Sequence, residues 1–214
     1  MMTTYETDEE RVEALRKWWK ENGTSIVAGI ALGIGALVAW RGWVSWQEGH
    51  SKAASTLYAE MTAAGERADT QTAQRQAELL LEDYGSTPYA ALAGLEMARL
   101  DAEAGDLESA ETELRRVMDE AGEASSRDLA RLRLARVLIV SGKPQAALDL
   151  LSDVLPVAWM SLVEEVRGDA YRKLGEIDKA RLAYDRALLA TGGNTEYLQM
   201  KRAELGSGTR ASGK

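Results

Sequence analysis

From Asn22 to Trp40 the chain runs nineteen residues without a charge. The middle reads Ile26-Val27-Ala28-Gly29-Ile30-Ala31-Leu32-Gly33-Ile34-Gly35-Ala36-Leu37-Val38-Ala39. At about 1.5 Å rise per residue, a helix of this length spans roughly the 30 Å of a bilayer's hydrocarbon. A buried helix of a soluble domain would also have to be apolar all round. It would not gather tryptophans only at its ends. Here Trp18 and Trp19 precede the run, and Trp40, Trp43 and Trp46 follow it. Trp19 and Trp40 would stand about 31 Å apart along a helix axis, matching two interfacial aromatic belts. The pattern predicts a transmembrane helix over residues 22–43.

Arg11, Arg16, Lys17 and Lys20 lie before the span, against Arg41 and Lys52 behind it. The Lys/Arg bias predicts a cytoplasmic segment over residues 1–21 and a large part across the membrane. A cleaved signal peptide would have a short basic leader and a small-x-small site soon after its apolar stretch. This leader instead carries Glu6, Asp8, Glu9, Glu10, Glu13 and Glu21, and bulky Trp40-Arg41-Gly42-Trp43 follows the run. Retention as a single-pass anchor is therefore expected. Gly29 with Gly33, and Ala31 with Gly35, form small-xxx-small pairs that let a second helix approach closely in lipid. Glycine and alanine are also common in membrane helices generally.

The rest of the chain excludes much. Net charge is −8, with no basic run, which argues against nucleic acid. There is no cysteine, so disulfides, thiolate metal sites and cysteine-linked lipid are excluded. His50, the one histidine, stands among Glu48, Gly49 and Ser51, where an exposed interfacial residue is expected. Carboxylate neighbours such as Glu9/Glu10 and Glu164/Glu165 point different ways on a helix and read as solvated faces. Glycine-rich phosphate loops and nucleophile elbows are absent. No catalytic site, cofactor or metal is expected, and the chain does not read as an enzyme.

Beyond the span the pattern is all-α, with apolar residues at i, i+3, i+4 and i+7. Residues 5–21 read as a short amphipathic helix, and helical character continues through Ser45–Glu66. Breaks fall at Ser86-Thr87-Pro88, Gly105-Asp106, Gly142-Lys143-Pro144, Pro156, Gly175 and Gly192-Gly193-Asn194. Ser125 with Asp128 reads as a capping box. The tail over 206–214 has nothing to bury and is expected to be disordered.

These breaks frame an internal repeat. Gly105, Ala110, Leu114 and Val117 are spaced 5, 4 and 3 residues apart, as are Gly142, Ala147, Leu151 and Val154, and then Gly175, Ala180, Tyr184 and Ala187. Glycine permits the tight turn, alanine lets the second helix approach, and the next two positions fill the shared groove. Each hairpin leaves an apolar face that a neighbour must cover. A solenoid over 44–205 follows, with residues 51–84 as a more degenerate hairpin capping the stack. The pattern resembles the tetratricopeptide repeat. Its best copy holds Gly168, Tyr171, Gly175, Ala180, Tyr184 and Ala187. It departs at Glu164 and Arg167, where large apolar residues are usual, and at Gly192, where proline is common. Ala98 and Ala135 replace the first glycine in the other two copies. Trp159, just after Pro156, either packs between hairpins or presents an anchor to a partner.

Three marks occur together: Glu21-Asn22-Gly23 before the span, Leu32-Gly33-Ile34-Gly35-Ala36 within it and Trp40-Arg41-Gly42-Trp43 after it. In this combination the chain resembles the YfgM family from residue 8 to about 205. The resemblance implies an inner-membrane protein of type II topology with a periplasmic tetratricopeptide-like domain. It also implies partners: the SecYEG translocon subunits, a membrane-anchored periplasmic prolyl-isomerase-like chaperone, and polypeptides emerging from the channel. The residues alone stop at an anchored helical-repeat interaction module. That leaves two other readings open: a regulator whose N-terminal segment binds a cytoplasmic signalling protein, and a homo-oligomeric structural scaffold.

Overall fold

The leading segment, the apolar run and Ser45–Glu66 form one uninterrupted helix, α1 (Asp8–Glu66). Proline does not occur before Pro88, and the glycines of this stretch stand singly among good helix formers. The computed structural model describes residues 8–152, 156–190 and 195–207. Val154, the turn at Gly192-Gly193-Asn194, the start of the leading segment over 5–7 and the tail from residue 208 lie outside them, as do the side chains of Glu9 and Glu10. The chain divides into two compact units, residues 1–50 and 51–214.

In the second unit α2 (Thr70–Asp83) follows the end of α1, then come α3 (Pro88–Ala104) and α4 (Leu107–Glu120). Next are α5 (Ala124–Val140), the short α6 (Pro144–Leu150), a 3-10 turn (Val157–Trp159), α7 (Met160–Leu174), α8 (Ile177–Leu189) and α9 (Thr195–Ser207). No strand occurs among the described residues. The all-α expectation therefore holds, as does the long apolar N-terminal helix.

The three predicted turns are built alike. Gly105, Gly142 and Gly175 take φ of 85°, 78° and 77°, the left-handed region that glycine enters without a Cβ penalty. The residue after each glycine donates its N–H back into the preceding helix: Asp106 to Asp101 O at 2.9 Å, Lys143 to Leu138 O at 2.8 Å and Glu176 to Tyr171 O at 2.9 Å. This is the six-to-one closure of a Schellman motif. Asp106 also accepts from the Ser109 N–H at 3.0 Å and caps α4.

A fourth copy of this turn joins α1 to α2. Asp69 N–H donates to Ala64 O at 2.9 Å, and Ala68 sits at φ 56° where the others have glycine. From Ala68 the chain repeats the 5, 4, 3 spacing through Ala73, Ala77 and Leu80, and all three are buried. The degenerate hairpin is thus in register with the rest, hidden in the sequence by one Cβ. Left-handed backbone costs a non-glycine residue roughly 1–2 kcal/mol, partly offset by the greater unfolded-state freedom of glycine. Ala68→Gly is expected to stabilise the fold by about 0.5–1 kcal/mol. Thermal unfolding of the purified chain in detergent checks it, and a lower melting temperature would contradict it.

Two local readings are corrected. Ser125 lies inside α5, whose N-cap is Glu123, without a side-chain capping bond. The loop is held instead by Arg127, whose Nη1 donates to Ala121 O at 2.6 Å and Gly122 O at 3.0 Å. Gly206, read as the start of the tail, belongs to α9, because Leu205 is buried and anchors that last turn.

Three apolar clusters support the stack. One joins α1, α2 and α3 around Met61, Ala77, Leu80 and Met97. The largest runs from α3 to α7 around Leu95, Leu114, Leu134, Leu138, Leu151 and Val166. The last gathers Tyr184, Leu198 and Leu205, so α9 covers the open face of the α7–α8 hairpin. That is the arrangement in which every hairpin needs a neighbour.

Candidate interaction surfaces

In the first unit, α1 leaves its apolar run uncovered. Val27, Ile30, Leu32, Ile34, Leu37 and Val38 are all exposed, which is tolerable only in lipid or against another helix. A Cβ built on Gly29, Gly33 or Gly35 meets nothing within 4 Å. These glycines therefore serve no packing purpose within the chain; Gly29 and Gly33, four residues apart, leave a shallow strip on one side of the helix, and Gly35 lies on nearly the opposite side with Ala31. Trp18, Trp19, Trp40 and Trp43 are exposed. Trp43 and Trp46 have ring centroids 5.7 Å apart, and Trp46 stacks on His50 at 5.1 Å. His50 is thus half-buried rather than fully exposed.

The Glu21-Asn22-Gly23 mark has a packing reason that the sequence did not disclose. A Cβ at Gly23 would lie 3.1 Å from Cε2 of Trp19, so glycine lets the indole lie flat on the next turn. Asn22 Nδ2 donates to Trp18 O at 3.1 Å beside it.

In the second unit the repeat alanines lie buried at the hairpin crossings. Ala110, Ala147 and Ala180 have no exposed surface, and Leu114, Leu151 and Tyr184 are equally buried at the hairpin crossings. Trp159 is half-buried and packs on the largest cluster. Glu164 and Arg167, the two departures from the repeat pattern, pair with each other, Nη1 to Oε1 at 2.6 Å. Arg167 Nη2 also donates to Leu151 O at 2.6 Å, tying α7 to the end of α6. The solvated-face reading of Glu164 and Glu165 is wrong, since both are buried. Neighbouring positions on α7 face different helices, and each acid meets a cation there.

Glu165 belongs to a buried network under α9. Lys201 Nζ donates to Glu165 Oε1 at 2.9 Å and to Asp169 Oδ2 at 2.7 Å, and lies 4.6 Å from the Tyr197 ring centroid. Tyr184 donates its hydroxyl to Asp169 Oδ1 at 2.7 Å. Burial acts to lower the Lys201 pKa, but the bonds to Asp169 and Glu165 outweigh it and raise the value. Burial, then the bond to Asp169, pushes the Tyr184 phenol far above its usual range.

The first helices of successive hairpins touch: α3 meets α5, and α5 meets α7. They line a continuous inner face. Between α5, α7 and α9 it opens into a cavity of about 720 Å³, with Arg136 and Val140 on one side and Lys173 and Lys201 on the other. A more apolar cavity of about 410 Å³ adjoins it between α3 and α5, over Ala98, Ala102 and Val137, and shares Arg136. Among the described residues no group of three His, Cys, Asp or Glu could hold a metal ion.

Stacked hairpins with a small residue at each crossing, joined to one helix long and apolar enough to cross a membrane, define a tetratricopeptide-like repeat protein with a candidate anchor. A family model described as a tetratricopeptide repeat-like domain matches residues 16–207. A protein of Escherichia coli (strain K12), named "Ancillary SecYEG translocon subunit", is 30% identical over 202 residues, covering 94% of this chain and 97% of the relative. Proteins of the same name from Aggregatibacter actinomycetemcomitans and Haemophilus influenzae are 28% and 26% identical over 180 residues, each covering 84% of this chain and 88% of the relative. The chain belongs to this tetratricopeptide-like family of ancillary SecYEG translocon subunits, as the three marks around the span indicated. Neither description is that of an enzyme family.

Proposed function

We propose that the chain is a membrane-anchored interaction scaffold at the SecYEG translocon. Its anchor docks laterally on the channel through the small residues of its span, the Gly29/Gly33 strip on one side and Gly35 with Ala31 on the other. The repeat domain stands in the periplasm, because the Lys/Arg bias keeps the leading segment in the cytoplasm. There it links emerging polypeptides to a periplasmic chaperone, with the prolyl-isomerase-like class as the expected partner. The observation that carries this reading is the open glycine strip on an otherwise uncovered apolar helix. The shared name of the relatives supports it. Tethering raises local concentration, so weak contacts suffice once the anchor is in place.

Site-specific photo-crosslinking in intact cells tests it, with probes at positions 29, 33 and 159. The span probes are expected to capture channel subunits, and the probe at Trp159, whose side chain is half exposed, a chaperone or a client chain. With the span probe moved to Ala36 on the same helix face, Gly29→Leu with Gly33→Leu should reduce the span adducts about tenfold, since bulk there blocks close helix approach. Outside the helix's own backbone and the adjoining residues, nothing lies within 4 Å of either added Cβ, so the fold itself should be untouched. Span adducts formed only with copies of this chain would overturn the assignment in favour of a homo-oligomer.

A further inference from the structure

The leading end of α1 carries Arg11, Arg16, Lys17 and Lys20 just before the apolar run. Orientation across a bilayer needs their charge but not a particular placement on the helix. The placement is nevertheless uneven. Lys17 stands four residues from both Glu13 and Glu21, so acids answer it on its own side of the helix. Arg16 and Lys20 stand four residues from each other, one turn apart on one face, and like charges at that spacing destabilise a helix. Both are exposed. Among the described residues neither has a carboxylate within ion-pair distance, Glu13 at the edge of the face included. Trp19 lies on the same face. Its indole rests on Gly23, where an added Cβ would come 3.2 Å from Nε1, and the side chain is half exposed. Its N–H has no acceptor among the described residues. A guanidinium, an ammonium and an indole N–H thus open together where the charge-free run begins. Further along, the same face continues as Val27, Ile30 and Ile34, each more than half exposed. This face lies between the Gly29/Gly33 strip and the Ala31/Gly35 pair, about a quarter of a turn or more from each.

We infer that this face is a binding site for one anionic phospholipid. Arg16 and Lys20 hold its phosphodiester, the Trp19 indole donates to it, and an acyl chain runs along Val27, Ile30 and Ile34. A guanidinium meets phosphate oxygens in paired charge-assisted hydrogen bonds, and an ammonium adds a point charge. The indole, apolar with one polar handle, belongs at headgroup level. A bound phosphate also relieves the repulsion between Arg16 and Lys20. Net charge selects among lipids, because a zwitterionic headgroup brings its own cation to the same face. A small soluble anion would answer the two cations but leave the apolar half of the face uncovered. The far end of the span offers no such pair: Arg41 stands alone, and Lys52 is eleven residues further on. The inference requires that α1 crosses a bilayer, but not that it touches the channel. Since the face is separate from the Gly29/Gly33 strip, a lipid held here stays in place while that strip is engaged.

The test uses the full chain in neutral detergent micelles, where orientation across a membrane does not enter. The micelles hold equal amounts of phosphatidylglycerol and phosphatidylcholine with the same acyl chains, and native mass spectrometry counts the lipid retained. One phosphatidylglycerol per chain is expected, at least about tenfold over phosphatidylcholine. Arg16→Gln with Lys20→Gln should remove most of that preference. Both side chains are exposed, so an unchanged circular dichroism melt is expected. Trp19→Phe keeps a ring against Gly23 but removes the N–H, and should lower retention about threefold. Arg41→Gln with Lys52→Gln removes the same amount of charge behind the span and should leave retention unchanged. An excess of glycerol phosphate, the headgroup without its chains, should not displace the lipid. Equal retention of the two lipids overturns the proposal. So does a loss in the Arg41/Lys52 variant as large as in the Arg16/Lys20 variant, which would reduce the effect to net charge. Displacement by glycerol phosphate overturns it as well, leaving a site for a free anion. The crosslinks from the span read the translocon assignment separately. A chain that holds the lipid without touching the channel, or the converse, shows which of the two readings has failed.

Discussion

Gly168→Ala is expected to destabilise the repeat domain by about 2–3 kcal/mol, the upper part of the range for overpacking a filled core. A Cβ built there falls inside the van der Waals envelope of three ring carbons of Tyr184. Tyr184 has nowhere to retreat. It is fully buried among Ala180, Ala187 and Leu198, and its hydroxyl is fixed by Asp169 at 2.7 Å. The added methyl must therefore push α8 away from α7, opening the crossing that the buried Ala180 keeps close. Because the overlap is with ring carbons, Tyr184→Phe gives no relief. Tyr184→Leu removes the clash and should make the double variant less unstable than the two single losses added together. A cycle of thermal or urea melts on the purified chain reads this coupling. Additive losses would mean that the contact between α7 and α8 does not set the hairpin spacing. Gly94→Ala is a like experiment two hairpins earlier, between α3 and α4, its Cβ landing 2.5 Å from Val117 Cγ2.

The pair Gly168 and Tyr184 also shows which features were legible in the sequence and why. Positions whose chemistry is set by backbone conformation or by helix crossing carry a local signature. The glycines at 105, 142 and 175 and the alanines five residues on were readable from spacing alone, because no other residue types serve there as well. The apolar run and its tryptophan flanks were readable for the same reason, since the bilayer fixes both length and ends. Less was legible where one residue substitutes for another at a cost. Ala68 in a left-handed turn disguised the fourth repeat. Glu164 and Arg167 looked like losses from the pattern, and only the fold brings them together as a pair. The burial of Glu165 was hidden because its cation, Lys201, lies 36 residues away. The role of Gly23 depended on which way Trp19 turns, which periodicity does not specify. The inner face was illegible for a further reason: its acids and their cations come from different helices, as Arg136, Glu165 and Lys201 do, so no local spacing marks them.

Lys201→Ala should have the larger effect at the C-terminal end, about 3 kcal/mol, because removing one partner of a buried charge group leaves the others uncompensated. Glu165 and Asp169 would then share a partly buried site at the cavity edge, with the Tyr184 hydroxyl and Arg136 at 3.8 Å to answer them. The loss should appear first as loosening of α9, which is otherwise attached by the apolar contact of Leu198 and Leu205 and by the more exposed pairs Arg202–Asp185 and Arg172–Glu204. Amide hydrogen exchange should rise across residues 195–207 before the rest of the stack responds. Glu165→Gln with Lys201→Met should recover part of the stability, since it removes charge from both sides. The pH response has a definite sign. Lys201 has a raised folded pKa, so its contribution is fully present below the unfolded value of 10.5 and is lost only as pH rises through the folded one. The wild-type chain should therefore keep α9 protected through neutral and mildly alkaline solution and release it above the ordinary lysine range. The Lys201→Ala chain should show no such alkaline step. A variant that melts and exchanges like the wild type would mean that Leu198, Leu205 and the exposed pairs of Arg202 and Glu204 suffice to hold α9, and that the buried charges are there for another purpose.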